Sequence, residues 1–342
     1  MTCPEKLRGI FVAIDVGHGS CSFVSSSCGE KCVLIDTGPK SALLEFLVDE
    51  GISNIDCVYI SHTDSDHIAG LIGLLASQTV RIGRVILNSD GVKDTHAWAN
   101  LRQELDQASR RDGLVFDVGL TSQVRDTYND LNVAVVAPSP YLASAGNGGT
   151  DRHGRRLSAN SVSAAFKVSI DGGAESVLVA GDIDHIALDD ALDRGTEMAC
   201  SVLVYPHHGG LPGKSDVEEF VNALMGATQA NCVLFSNGRG RHDNPREVVV
   251  AAVINARPDV SIACTQLSLA CSENLAESVD HLFECYSSGK SRRFSCGGSL
   301  VIPLASAPPD RSSVAAHYAF VAACVPGALC RKRRAEPSSS VH

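Results

Sequence analysis

The sequence has no apolar run long enough to span a bilayer, and no basic segment followed by an apolar one at its N-terminus, so a soluble cytoplasmic protein is the default expectation. It has no Gly-x-Ser-x-Gly elbow and no phosphate-binding P-loop, which removes two common routes to hydrolysis. It also lacks any Cys-x-x-Cys pair in its C-terminal half. Its 13 cysteines are odd in number and scattered, unlike a secreted disulfide framework, so reduced thiols are expected. No internal repeat stands out. A formal net charge of -10 argues against a surface coated for nucleic acid, although that sum leaves out any cations a site would hold. What is present is a chain of 342 residues, 44% apolar, long enough to bury a sizeable core.

Four side chains of metal-ligand type, His62, Asp64, Asp66 and His67, fall within the six residues His62 to His67. The apolar run Ile55–Ile60 before them predicts a buried strand, and Ile68–Leu75 after them predicts a helix. A strand-to-helix loop lets alternate residues point at two adjacent ions, while the helix N-terminus favours the charge of Asp64 and Asp66. Imidazole and carboxylate together suit zinc, manganese or iron better than calcium. The plain alternative is that the two aspartates cap the helix and the histidines are bystanders, but a cap needs one such residue and not four.

This stretch resembles the His-x-His-x-Asp-His signature of the metallo-β-lactamase superfamily, with Asp64 in place of the second histidine. That His-x-Asp-x-Asp-His form is similar to the branch holding the hydrolase domains of ComEC competence proteins and the phosphorylcholine-esterase-like enzymes. Further segments carry the resemblance in the right order across most of residues 8 to 265. Asp15-Val-Gly-His-Gly19 and Ile35-Asp-Thr-Gly38 look like its first two elements, with His18 where glutamine is usual; Gly181-Asp182, Pro206-His-His-Gly209 and a final strand Val260–Cys264 follow. The resemblance implies an α/β fold, a four-layer αβ/βα sandwich of two mixed sheets with ions along one edge. It implies two divalent metal ions, zinc or manganese with magnesium open. A first site would use His62 and Asp64, helped by Asn160, and a second Asp66, His67 and His208, with Asp182 bridging and a hydroxide between the ions as nucleophile. His207 would face the substrate, with the roles of His207 and His208 open to exchange. Asp64 in place of histidine makes the first site harder and tilts it toward manganese or magnesium.

Other residues are weighed beside these. Asp15 and Asp36 are either turn formers or groups that orient a metal-binding histidine, the latter preferred for Asp36. Most superfamily members place a histidine near Asn160, and His153 is the alternative donor there. Asp184 and His185 follow Asp182 closely enough to support it. Arg152, Arg155 and Arg156, with Arg239 and Arg241 in the loop 237 to 245, form two basic loops that would hold phosphate or carboxylate if they line the site. His242 is separated from Pro245 where relatives have a His-Pro pair. Asp66, Asn160, His207 and His242 are the groups expected to take part in catalysis. Trp98 and His96 suit a core and a surface position. Cys264, Cys271, Cys285 and Cys296 either form a zinc knuckle in an insertion over 266–298 or are separate buried thiols. The hydrolase domain is expected over 1–305, and residues 306–342, with Arg331-Lys-Arg-Arg334, as a flexible tail that is solvated or touches nucleic acid.

The functional expectation is a metal-dependent phosphodiesterase, a nuclease acting on DNA or RNA, with no membrane role and a regulatory protein partner of unknown identity. Hydrolysis of a small ester, lactone, lactam or choline-phosphate is the alternative on the same metals. A non-catalytic binding or regulatory subunit is the third, with Asn160 its only support.

Overall fold

The computed structural model describes residues 3–213, 215–275, 279–282, 285–305 and 312–332. The first half of the chain supplies β1 (Ile10–Ala13), β2 (Cys21–Ser25), β3 (Cys32–Thr37), β4 (Asn54–Ile60), β5 (Arg81–Leu87) and β6 (Val115–Val118). The second supplies β7 (Arg125–Tyr128), β8 (Leu131–Ala137), β9 (Ala165–Ile170), β10 (Ser176–Val179), β11 (Val202–Val204), β12 (Cys232–Phe235) and β13 (Ser261–Cys264), and β14 (Leu300–Pro303) returns to the first. The strand orders are β14-β1-β2-β3-β4-β5-β6 and β13-β12-β11-β10-β9-β8-β7. In each sheet an antiparallel part gives way to a parallel run, β3 to β6 in one and β10 to β13 in the other.

Alternation along the strands separates three apolar layers. Phe11, Ala13, Cys57 and Tyr59 point inward and meet Phe166, Val168, Val177 and Val179 of the opposite sheet. Their neighbours Ile10, Val12, Val58 and Ile60 face the other way. That outer face is covered by α1 (Ala42–Asp49), α2 (Ser65–Ser77) and α3 (His96–Asp112), through Leu43, Phe46, Leu71, Leu74, Leu101 and Leu105. Strands that bury both faces read as continuous apolar runs, which is why the parallel strands were visible in the sequence. The short α4 (Pro140–Ala145) precedes the second layer of helices, α5 (His185–Asp193), α6 (Val217–Thr228) and α7 (Glu247–Ala256). These pack Ala187, Leu224 and Val253 against Leu178, Leu203 and Val233. The result is the expected four-layer αβ/βα sandwich. Trp98 is buried and His96 exposed, as expected. Among the described residues no helix is long and apolar enough to cross a membrane.

Two expectations change. Residues 312–332 do not behave as a free tail: α8 (Ser312–Cys324) and the turn Leu329–Arg331 place Phe320, Val321, Val325, Ala328 and Leu329 in the outer core of the second sheet. Lys332 pairs with Glu247 of α7 at 2.7 Å. The rest of the expected tail, 306–311 and 333–342, lies outside the described residues. Asp15 does not orient a histidine. Fully buried, it accepts hydrogen bonds from Gln266 Nε2 (2.7 Å), Ser288 Oγ (3.1 Å), the Gly289 amide (3.0 Å) and Ser287 Oγ, and so pins the 266–299 segment to the N-terminal turn.

The helix that carries the His/Asp loop is set by a close approach. A Cβ at Gly70 would overlap the Thr37 carbonyl oxygen, so α2 lies directly on the turn after β3, and the Gly70 amide donates to Gly38 O at 2.8 Å. Gly70→Ala is therefore expected to lower stability by about 1–3 kcal/mol, the usual cost of overpacking. Denaturant unfolding checks this, and an unchanged midpoint would contradict the close approach.

Candidate metal centre

The ligand-type residues gather where the parallel strands of both sheets end. β3 leads to Asp36, β4 to His62, β10 to Asp182 and β11 to His207 and His208, while His18 lies in the glycine turn between β1 and β2. Two groups of three form, His62, His67 and Asp182, and His18, Asp66 and His208, each with its ligand atoms within 4.8 Å of one another. Asp182 stands between them. Its Oδ1 is 3.6 Å from His67 Nε2 and 4.0 Å from His208 Nε2, and its Oδ2 is 3.8 Å from His62 Nε2 and 3.6 Å from His207 Nδ1.

This grouping corrects the expected one. His67 joins His62 rather than Asp66, and His18, given no role by the sequence, completes the group of Asp66 and His208. His18 Nε2 is 3.6 Å and His208 Nε2 3.3 Å from Asp66 Oδ2. Asp64 belongs to neither group. It is at the N-cap position of α2 without capping it; its carboxylate is paired with Lys93, and its Oδ2 lies 3.7 Å from His62 Nε2, as near as that of Asp182. Asn160 opens the short turn Asn160–Val162 after the basic loop. Ser163 reaches in from the same turn, its hydroxyl 3.4 Å from His62 Nδ1 and accepting from the Asp182 amide at 3.0 Å.

Whether these residues suit metal is decided by their unused atoms. His62, His67, His207 and His208 each bury Nε2, and His18 buries Nδ1, with no hydrogen-bond partner. Such orphans are costly unless something absent from the polypeptide satisfies them. The opposite ring nitrogens of three of these are held. His67 Nδ1 lies 2.7 Å from Asp36 Oδ2, His208 Nδ1 donates to the Ser236 carbonyl at 2.9 Å, and His62 Nδ1 is 3.1 Å from Ser61 Oγ. Held on one side and bare on the other is the arrangement of a metal-binding histidine. Asp36 also accepts from the Ser61 amide (2.7 Å) and hydroxyl (2.8 Å), which ties the ends of β3 and β4 together beneath His67.

The protonation states of His62 and His18 fit a metal. Burial, then the neighbouring His67, pushes His62 down to about 3, and burial, then His208, pushes His18 down to about 4. Both rings are thus neutral, the form that binds a cation. Burial alone would raise the carboxyls of Asp66 and Asp182, but the histidines around them hold both below the usual range. Burial opposes a charge on His67 and His207 as well; Asp36 and Asp182 overcome it for His67, and Asp182 for His207, raising both.

A profile of the metallo-beta-lactamase superfamily matches residues 14–218, the stretch that contains all six residues of the two groups. The chain belongs to that superfamily. The metallo-β-lactamase fold and the two His/Asp groups together imply divalent metal binding. The chain is also 23% identical over 257 residues to ComE operon protein 3 of Bacillus subtilis (strain 168), covering 69% of this chain and 29% of that one; it spans less than a third of that relative's length. Similar solved structures include a metal-dependent hydrolase of the beta-lactamase superfamily (20% identity, TM-score 0.45, 75% of this chain and 95% of that one). Another is the short form of human tRNase Z (12%, 0.42, 74% and 96%).

The basic residues divide. Arg152 is held by Asp190 (3.4 Å) and Asp193 (3.1 Å), and Arg155 by Asp151 (2.7 Å) and Asp189 (2.6 Å), so both are tied to the outer helix α5 instead of the site. His153 is exposed beside them. Arg239 donates to the carbonyls of Leu267, Ser268, Ser272 and Glu273 and serves architecture. Asp184 caps α5 and holds Ser158 and Ser161. At the mouth stand Arg241, close enough for its charge to act on His18, and His242, whose ring centroid is 4.7 Å from that of His18. Arg156 lies along the loop that carries Lys93, since a Cβ at Gly148 would touch both Val92 (3.5 Å) and the Arg156 guanidinium (3.9 Å).

Two variants separate the roles of the two buried aspartates. Asp36→Ala is expected to weaken metal binding by about 10–100-fold, the usual effect of freeing a ligand histidine, whereas Asp15→Ala lowers the melting temperature and leaves affinity in place. Competition with a chelator reads the first and thermal unfolding the second. His18→Ala should remove one bound metal per chain, measured by elemental analysis, and an unchanged metal content would remove His18 from the ligand set.

Proposed function

We propose that this chain is a phosphodiesterase that uses two divalent ions, zinc or manganese, to cleave nucleic acid. The observation that carries this reading is the pair of His/Asp groups on either side of Asp182, with cationic side chains at their edge in a chain whose net charge is -10. When bound, two such ions activate water and neutralise charge at phosphorus. The chain's own part is placement. Asp182 faces both groups, and its Oδ1 accepts from the His207 amide at 3.1 Å, which fixes His207 beside the reacting centre with Nε2 free to donate to a phosphoryl oxygen. Lys93 on one side and Arg241 and His242 on the other offer contacts to flanking phosphates, a demand that a neutral lactone or lactam does not make. The resemblance to ComEC-type hydrolase domains supports the same substrate class. A nuclease free in the cytoplasm needs restraint, so a cytoplasmic setting and a controlling protein partner belong to this proposal.

Single- and double-stranded DNA and RNA, incubated with and without manganese, provide the test. Cleavage should require the metal and fall by about 10²-fold or more in Asp182→Asn, the scale of losing one preorganised charge. Arg241→Ala should weaken nucleic-acid binding and reduce its salt slope by about 1. Preference for carboxyl esters or lactones, or equal cleavage by Asp182→Asn, overturns the proposal.

A further inference from the structure

Away from the catalytic groups, four of the chain's cysteines and a histidine converge on one place. Cys264 ends β13, Cys271 follows it, Cys296 lies on the returning segment, His317 is on α8 and Cys330 is in the last turn, yet all five line a single cavity of about 10 Å³. That is room for one water-sized body. The walls are otherwise apolar: Val250, Ile262, Leu267, Val321 and Leu329 among them. Cys264, Cys296 and His317 are buried, and all four thiols are free. The backbone holds the first pair of segments in register, with the Cys296 amide donating to Thr265 O (3.0 Å) and the Gly297 amide to Cys264 O (2.8 Å). Cys296 Sγ is 3.3 Å from His317 Nε2. Two ligands of one tetrahedral zinc ion, at the usual Zn–S and Zn–N lengths, stand roughly 3.6 Å apart.

The membership differs from the sequence expectation. Cys285, counted there with Cys264, Cys271 and Cys296, sits in the core of the first sheet, and Cys330 and His317 take its place. No sequence spacing announces this, because the donors come from both sides of residues 297–316.

We propose that Cys264, Cys271, Cys296, Cys330 and His317 form a second metal site, separate from the catalytic one, that takes a single thiophilic divalent cation of the zinc class and fastens residues 312–332 to the second sheet. Four of the five donors complete a tetrahedral ion, with Cys296 and His317 as its preset pair. No three of these donor atoms come within 4.8 Å of one another, unlike those of the catalytic groups. The cluster is therefore an open cage that closes as the cation displaces the thiol protons, which couples metal binding to docking of α8. The competing account is a Cys296–His317 hydrogen bond among thiols that are merely buried. The inference rests on nothing in the nuclease reading.

Cobalt(II) added to the fully reduced chain distinguishes the two accounts, because only thiolate ligation gives an intense near-ultraviolet charge-transfer band. The band is expected in the wild type, in Asp182→Ala, where the catalytic centre is damaged, and in Cys285→Ser. It should lose most of its intensity in the double variant Cys264→Ser/Cys296→Ser, which leaves three of the five donors, and zinc content should fall by one per chain. Should that variant fail to fold, the wild type and Cys285→Ser still decide. Absence of the band from either, or full retention of it in the folded double variant, overturns the proposal. So does a thiol count that falls short of 13 in the unfolded, unreduced chain because two of the four cluster cysteines are joined as a disulfide.

Discussion

The site depends on the charge of Asp182 being held among imidazoles in a place that water barely reaches. A carboxylate there is costly unless positive charge surrounds it, and His67, His207 and His208 supply part of that charge. His67 and His208 do so with Nε2 atoms that have no hydrogen-bond partner, and His207 with Nδ1 while its Nε2 is left bare, so the polypeptide by itself leaves the balance incomplete. Bound divalent metal would satisfy the orphan Nε2 atoms of His62, His67 and His208 and the carboxylate together. The surrounding fold follows from this need. Two sheets whose parallel strands end at the same edge can deliver ligands from β4, β10 and β11 to one point, and a helix N-terminus at Ser65 adds a partial positive charge beside Asp66.

Several residues whose chemistry suggested function turn out to hold the frame that keeps these ligands in place. Asp15 gathers donors from Gln266 to Gly289, and Arg239 spreads its guanidinium over four carbonyls of the same segment. One anchor comes from each sheet's side of the cleft. The Gly17–Gly19 turn and the Asn237–Gly240 region are thereby pressed together: a Cβ at Gly238 would collide with the His18 amide. That contact positions His18 and brings His242 against it. Arg152 and Arg155 meet a different fate because α5 presents Asp189, Asp190 and Asp193 within their reach, and ion pairs at that distance neutralise them before any substrate arrives.

The parallel strands and their terminal ligands were legible because buried strands are apolar throughout and the ligands follow them directly. β2 was not, since Cys21-Ser-Phe-Val-Ser25 alternates small polar groups with apolar ones and yet is buried on both faces. β6 and β7 are edge strands with exposed or charged residues and carry little apolar signal. α6 had a usable signature that went unread: Asp216 caps it, Glu219 follows three residues on, and Phe220, Val221, Leu224 and Met225 make its inner face. Within the site, residue types were readable but partners were not. Which histidine joins which aspartate depends on how the β1–β2 turn crosses the edge of the other sheet, and no spacing in the chain encodes that. Lys93 had no motif at all; it is significant only because the loop after β5 folds it onto Asp64.

That last contact changes the argument about metal preference. With Asp64 as a ligand, one site would have been more anionic than the other, and hard ions would have been favoured there. The two groups instead have the same make-up, two imidazoles and one carboxylate each. Identical donor sets give no ground for two different metals, and imidazole-rich sets suit zinc as well as manganese. Asp64 is then available for a different task, because its charge is spent on Lys93. Lys93 is held at the rim by a half-buried carboxylate rather than by a group of the metal clusters. The substitution of Asp64 for histidine thus bears on the entrance to the site, and the two groups are left with the same kinds of donor.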